Sequence, residues 1–278
     1  MREVNVRVVA RFWSRAFCVL CLVGVVRAFA GPAARPVGDK VKLAWQVTEP
    51  KIWRAADGAT LPYRLHLPAQ AEAGRRYPLV IHMHGAGSRG TNNVDQVKTG
   101  GSDFLVWMTR RGEDCVFLAP QCPAEKRWVD VDWRTQSHRM HDVPTVYFRL
   151  AMEIIEDALT RYPVDRSRVY VMGISMGGYA TWELLQRHPE WFAAALPCCG
   201  GGDVTLAGRM KDVAVWAFHG DADPTVPVVR SRSMVAALKA AGGKAEYREY
   251  SGVGHDAWTP TFSDDKVFDW MWRQRRQK

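Results

Sequence analysis

The most constraining feature of this sequence is a serine at a predicted strand-to-helix junction, in Gly173-Ile174-Ser175-Met176-Gly177. Residues 168–172 form a short apolar run with β-branched and aromatic side chains, which predicts a buried strand. Residues 176–188 predict a helix that ends before Pro189. Because glycines beside the serine let strand and helix approach closely, the sharp turn exposes the hydroxyl. The pattern therefore predicts a nucleophile elbow at Ser175.

Acidic residues and a histidine follow two later predicted strands. Residues 213–218 predict a buried parallel strand, and Asp221 and Asp223 lie in the loop beyond it. His255 follows a further predicted strand. The carboxyl ends of parallel strands form one edge of a sheet, so these loops are predicted to meet near Ser175. This makes a glycine-rich turn with a merely helix-capping serine the weaker interpretation.

These residue types suit nucleophilic catalysis. A serine hydroxyl becomes a nucleophile when a base takes its proton, and the imidazole of His255 suits that task near neutral pH. A buried carboxylate fixes the imidazole tautomer and stabilises the imidazolium. Asp221 and Asp223 compete for this role, and Asp256 is a weaker candidate because it adjoins His255. The chain order Ser-Asp-His is that of α/β-hydrolases.

A glycine-rich loop offers donors for a developing oxyanion. A strand is predicted over residues 77–83, and His84-Gly85-Ala86-Gly87 follows it. The backbone N–H of Ala86, in preference to that of Gly87, and the N–H of Met176 are predicted to form the oxyanion hole.

Other residues that could bind a metal or a substrate are two histidines and two tryptophans. His82 and His84 are assigned to a packed strand end and to the oxyanion loop, so we expect no metal site and no cofactor. Among twelve tryptophans, Trp128 and Trp258 lie in loops near the predicted catalytic edge. They are candidates to contact a sugar or aryl group, or to line an acyl pocket.

The N-terminus has the pattern of a secretory signal peptide. Residues 1–30 combine four early arginines, an apolar run and Ala28-Phe29-Ala30 as a cleavage pattern. A helix that spans a bilayer needs about 17–25 residues, and this apolar run is shorter. We therefore expect cleavage and no membrane anchor in the mature protein. The alternative is that the segment stays uncleaved and serves as an anchor. We expect a secreted or periplasmic protein with a flexible lead-in over 31–40 and one catalytic domain over 41–278.

Alternating strands and helices predict an α/β fold. We expect a mostly parallel sheet with helices on both faces and an antiparallel N-terminal edge built from residues 43–47 and 63–67. Helices are predicted over residues 102–111, 145–162, 176–188, 229–242 and 264–274.

The cysteines predict a disulfide, and the distribution of charge argues against a nucleic-acid partner. Four cysteines follow residue 30, and an even number in an exported chain favours a disulfide, predicted between Cys122 and either Cys198 or Cys199, with Cys115 a possible buried thiol. The net charge is +9, of which the signal segment carries +4. The remaining basic residues are scattered, so no nucleic-acid partner is expected.

From about Tyr63 onward the chain resembles secreted α/β-hydrolase esterases, in the phospholipase/carboxylesterase-like and polyhydroxybutyrate-depolymerase-like groups that shade into carbohydrate esterases and predicted peptidases. The resemblance implies that Asp223, which precedes Val226-Pro227, is the catalytic acid rather than Asp221. Ser88 departs from the pattern, since these relatives often carry an acidic residue there. The matching stretches are residues 84–90, 119–123 with Trp128, 173–178, 219–227, 254–258 and 268–274.

The motifs and the resemblance together predict an exported serine hydrolase of carboxylic esters. Its expected substrate is a small-molecule or polysaccharide-linked ester, including acyl or feruloyl esters. The alternatives are a serine peptidase, an acyltransferase and a catalytically silent binding module. Oligopeptidases of this fold usually carry a gating domain, for which the chain has little room, and this favours esters.

Overall fold

The computed structural model describes residues 37–68 and 74–276. Its eight strands form one sheet in the order β1-β2-β4-β3-β5-β6-β7-β8. β2 pairs antiparallel with β1 and β4, and all other neighbours are parallel. This confirms the predicted mostly parallel sheet with an antiparallel edge. The strands are β1 (Glu49–Arg54), β2 (Thr60–His66), β3 (Tyr77–Met83), β4 (Val116–Pro120), β5 (Val164–Ile174), β6 (Ala194–Cys198), β7 (Ala214–Gly220) and β8 (Ala245–Tyr250).

Helices cover both faces of the sheet, as predicted. The apolar side chains of α3, α4 and α5 pack on one face, and those of α1, α2, α6 and α7 pack on the other. None of the described helices is long and apolar enough to cross a membrane. The helices are α1 (Val37–Val47), α2 (Gly101–Arg111), α3 (Val146–Arg161), α4 (Met176–Arg187), α5 (Val229–Ala240), α6 (Trp258–Phe262) and α7 (Asp265–Arg273).

The N-terminal edge differs from the prediction. The sequence predicts a flexible lead-in over residues 31–40 and a strand over residues 43–47, but residues 37–47 form α1. Val41 and Ala44 are buried three residues apart, the spacing of a helix face rather than of a strand. The antiparallel edge is instead the β1–β2 hairpin, in which Glu49 faces Leu65. The predicted signal peptide lies outside the described residues.

The predicted disulfide is wrong. Cys115, Cys122, Cys198 and Cys199 are all buried free thiols. Cys122 follows β4 and Cys198 ends β6, and two strands, β3 and β5, separate them in the sheet. Three inter-strand spacings amount to roughly 14 Å, whereas a disulfide needs Cα atoms within about 7 Å.

Glycines allow the start of α4 to lie directly against the ends of two strands. A Cβ atom on Gly177 would lie 1.9 Å from the carbonyl oxygen of Met83, at the end of β3. A Cβ atom on Gly178 would lie 2.5 Å from the carbonyl oxygen of Cys198, at the end of β6. The obstructing atoms are backbone, so they cannot rotate away as a side chain can. The glycines of the motif are therefore required for packing.

We expect Gly177→Ala to lower the free energy of unfolding by about 3 kcal/mol, the upper part of the range for overpacked interiors. Urea denaturation followed by circular dichroism measures this loss. Gly38→Ala is the control, because nothing lies within 4 Å of the added methyl group on α1; it should be neutral or stabilising by up to about 1 kcal/mol. Equal stability of the two variants would contradict the packing argument.

Candidate active site

Ser175 occupies a strained turn between β5 and α4. Its backbone has φ 54° and ψ −118°, in a region that residues other than glycine rarely adopt. The Ser175 N–H donates to the carbonyl oxygen of Cys198 over 2.8 Å, which fixes the turn against β6. This geometry is that of a nucleophile elbow.

A hydrogen-bond chain links Ser175 to a histidine and a carboxylate. Ser175 Oγ lies 2.8 Å from His255 Nε2, and His255 Nδ1 lies 2.7 Å from Asp223 Oδ2. A carboxylate only accepts hydrogen bonds, so Nδ1 carries the proton and Nε2 is free to accept from the serine hydroxyl. The side chain of Asp223 is fully buried, while that of His255 is 22% exposed. The arrangement lets His255 remove the proton of Ser175 on the side open to solvent.

The charge of Asp223 is held by several donors. Oδ1 accepts the N–H groups of Thr225 and Val226 at 2.8 and 2.9 Å, while Oδ2 faces both His255 and His219. Burial opposes ionisation, but the hydrogen bonds from the two histidines and the backbone outweigh it and hold the pKa of Asp223 well below its ordinary value. Asp223 is therefore an anion.

The protonated form of His255 is stabilised in turn. Burial opposes protonation of the imidazole, but hydrogen bonds with Asp223 and Cys199 outweigh burial and raise the pKa of His255 to about 9. A base with a raised pKa holds the proton it takes from the serine more tightly, but below about pH 9 the imidazole is mostly protonated. The neutral form that accepts the serine proton therefore increases as the pH rises toward that value.

The other two acidic candidates accept hydrogen bonds from nearby loop and helix residues. Asp221 Oδ1 accepts the N–H of Gly252 over 2.7 Å, and its side chain is exposed. Asp256 accepts the N–H and hydroxyl of Thr259 at the start of α6. Asp223, rather than Asp221 or Asp256, is the acid in contact with His255.

The two predicted oxyanion donors stand at helix starts. Ala86 begins a short 3₁₀ helix (Ala86–Ser88), and Met176 begins α4. First N–H groups of helices have no acceptor within the helix, so they are available to a ligand. Because Gly177 packs on the backbone of Met83 and His84, the loop that carries Ala86 lies beside the start of α4.

His84 anchors the loop that carries Ala86. Its Nδ1–H donates to the carbonyl oxygen of Gly85 over 2.6 Å, and its Nε2 accepts the N–H of Cys122 over 2.9 Å. Burial lowers the pKa of His84 to about 4, so the ring is neutral. Both ring nitrogens are used in holding the loop.

The structure corrects one predicted substrate contact. Trp128 is fully buried, its Nε1–H donates to the carbonyl oxygen of His84 over 3.2 Å, and its ring packs edge-on against the His84 ring. It therefore supports the oxyanion loop from below and cannot meet a substrate. Trp258 is half-buried and packs edge-on against His255, with ring centres 5.1 Å apart. Contact of Trp258 with substrate stays a prediction.

Sequence reasoning missed two residues beside the acid and base. Cys199 also has a positive φ, 51°, and its thiol donates to the carbonyl oxygen of His255 over 3.3 Å. His219 lies within hydrogen-bond distance of Asp223. Among the described residues, one group of three or more potential metal ligands has its ligand atoms within 4.8 Å of one another, and it consists of Cys199, Asp223 and His255. The contact of Cys199 with His255 joins residues 56 positions apart, so no spacing signals it. His219 and Asp223 are four positions apart, and this spacing could have signalled their contact.

Comparisons with known proteins identify the family of the chain. The model of the phospholipase/carboxylesterase family matches residues 68–268, so the chain belongs to that family. The putative esterase NocK of Nocardia uniformis subsp. tsuyamanensis is 25% identical over 221 residues, which are 73% of this chain and 54% of NocK. A solved thermostable esterase is 36% identical with a TM-score of 0.76, over 84% of this chain and 64% of that one. The chain thus spans less than two thirds of either relative.

A more distant structure supports the fold alone. A solved ferulic acid esterase is 18% identical with a TM-score of 0.61, over 81% of this chain and 97% of that one. Together these findings confirm the resemblance to α/β-hydrolase esterases and the predicted fold.

We expect Asp223→Asn to lower the pKa of His255 from about 9 toward or below its ordinary value of 6.5. The amide carries no charge to stabilise the imidazolium, so burial then dominates. An NMR titration of the histidine ring protons measures the shift. Asp221→Asn should leave the titration unchanged, and a shift in that variant alone would assign the acid to Asp221.

Proposed function

We propose that this protein is an exported serine hydrolase that cleaves carboxylic esters through an acyl-enzyme. The observation that carries the proposal is the continuous hydrogen-bond chain from Ser175 through His255 to Asp223, with Ser175 on the strained turn. Family membership and the esterases among its relatives support the same activity.

Each group has one task in the reaction. His255 Nε2 takes the proton of Ser175 as Oγ attacks the ester carbonyl, and the N–H groups of Ala86 and Met176 stabilise the oxyanion. His255 then gives the proton to the leaving alcohol, and the acyl group stays on Ser175. Water, activated by His255, releases the acid and restores the serine. Asp223 keeps the imidazole oriented and stabilises its protonated form throughout.

The proposed substrate is a small-molecule or polysaccharide-linked ester. Trp258 supports this, because its half-buried ring lies next to His255, where it could contact a bound substrate. The pattern of residues 1–30 supports export, and we propose a secreted or periplasmic location. The ferulic acid esterase shares the fold, so feruloyl esters belong among the substrates to test.

We expect the purified chain to hydrolyse p-nitrophenyl acetate and butyrate, and Ser175→Ala to lower kcat by roughly 10⁴- to 10⁶-fold, as when a serine nucleophile is removed. Release of p-nitrophenol measures turnover. The loss follows because no other group replaces the attacking oxygen.

Ser263→Ala is the matched control, since Ser263 is an exposed serine at the end of α6. It should retain full activity. Comparing acetate, butyrate, octanoate and methyl ferulate then identifies the preferred acyl group. A folded protein without Ser175-dependent turnover of any ester would refute the esterase and favour a peptidase or a silent binding module.

A further inference from the structure

The carboxylate of Asp223 contacts two histidines rather than one. His219 lies on β7 and is fully buried. Its Nε2 is 3.2 Å from Asp223 Oδ2 and 3.0 Å from the carbonyl oxygen of Val226. On the other side of the ring, Nδ1 is 2.8 Å from Ser231 Oγ on α5. His219 therefore bridges α5 and the acid of the proposed catalytic site.

The partners of His219 define where its proton lies. Nε2 faces a carboxylate and a carbonyl oxygen, which only accept hydrogen bonds, so Nε2 carries a proton. Nδ1 then accepts the hydroxyl of Ser231, which also lies 3.1 Å from the carbonyl oxygen of Gly200. The tautomer is the one that presents an N–H donor to Asp223.

With this donor, both oxygens of Asp223 are fully used. Oδ1 accepts two backbone N–H groups, from Thr225 and Val226, and Oδ2 accepts the imidazole N–H groups of His219 and His255. A carboxylate offers about four acceptor positions. Four donors from two loops and a strand leave it no freedom to rotate within its buried site.

We propose that His219 is a positioning residue for catalysis: its Nε2–H holds Oδ2 of Asp223 in line with Nδ1 of His255, and Ser231 fixes the His219 ring. This inference rests on the proposed function, because it assigns His219 a task in the same reaction. His219 touches neither substrate nor the reacting atoms. It acts through Asp223 alone.

The N–H of His219 also weakens the effect of the negative charge of Asp223 on the pKa of His255. When two imidazoles share Oδ2, the N–H of His219 stabilises the carboxylate charge and so weakens its attraction for the proton of His255. Removing that donor makes Asp223 more basic, so the imidazolium of His255 is held more strongly and its pKa rises further. The neutral base then forms only at higher pH.

Two other titratable groups lie near His219. The Cys199 thiol lies on the loop after β6, and Glu249 faces His219 across the β7–β8 pair. Glu249 is bound to Arg232 and to the hydroxyl of Tyr247. Glu249 has its own partners, and Cys199 is present in every variant of His219. A difference between two neutral replacements of His219 in the titration of His255 therefore reports on the donor to Asp223.

The test compares His219→Leu with His219→Gln in the full chain. Leucine removes the donor, whereas the amide of glutamine places an N–H near the position of Nε2. We expect His219→Leu to lower kcat on p-nitrophenyl butyrate roughly 10- to 100-fold. Losses of this size follow when a residue that orients a metal ligand by a hydrogen bond is removed, and His219 orients Asp223 in the same way. KM should be unchanged, and the acidic limb of the kcat/KM profile should move to higher pH.

His219→Gln should recover most of kcat and return the limb toward its original position. Two variants equally impaired, with the limb unmoved, would show that His219 is only a packing residue. Full activity in His219→Leu would also overturn the proposal. If His219→Leu does not fold, Ser231→Ala replaces it, since this change frees the ring while keeping the imidazole; a smaller shift of the same sign is expected, and no shift contradicts the inference.

An NMR titration of His255 separates this inference from the esterase itself. In His219→Leu the pKa of His255 should rise whether or not any ester is cleaved. If the wild-type chain cleaves no ester but the pKa of His255 rises in His219→Leu, the esterase is refuted and the contact between His219 and Asp223 is supported. If the wild-type chain cleaves esters but the pKa of His255 does not rise in His219→Leu, the positioning role of His219 is refuted.

Discussion

The structure depends most on the direct contact between the start of α4 and the ends of β3 and β6. Gly177 lies against the carbonyl oxygen of Met83, and Gly178 against that of Cys198, at distances that no side chain permits. This contact forces the tight turn in which Ser175 adopts its unusual backbone geometry. It also brings the loop with Ala86 beside the N–H of Met176. The proposed nucleophile and the proposed oxyanion donors are thus positioned by backbone packing rather than by flexible side chains.

The acid and base depend on a buried charge that the protein surrounds with donors. Asp223 would be costly to ionise in its dry environment, yet backbone N–H groups and two imidazoles compensate for the lost water. The resulting anion raises the pKa of His255, which in the proposed reaction stabilises the imidazolium formed when the neutral ring takes the proton of Ser175. The loop after β7 and the loop after β8 therefore work as one unit, held together by the Asp223–His255 hydrogen bond.

Sequence reasoning succeeded where the signal was local. The turn at Ser175, its flanking strand and helix, and the loops with Asp223 and His255 each follow from short patterns that the fold of parallel strands brings to one edge. It failed where the answer depended on neighbours distant in sequence. The inward burial of Trp128 under the oxyanion loop and the two strands between Cys122 and Cys198 are properties of the sheet order, which composition does not encode. The contact between His219 and Asp223 is different, because these residues lie only four positions apart, and it was missed although the signal was local.

The most direct test of the account is covalent labelling with a fluorophosphonate, followed by peptide mass spectrometry. The serine oxygen attacks phosphorus and fluoride leaves, so labelling reports an activated hydroxyl without assuming any natural substrate. We expect one label, on the peptide that contains Ser175, and slow or absent labelling in His255→Ala because the base is lost. A folded protein that takes up no label, or takes it up at another serine with equal speed, would contradict the assignment of Ser175 as the nucleophile.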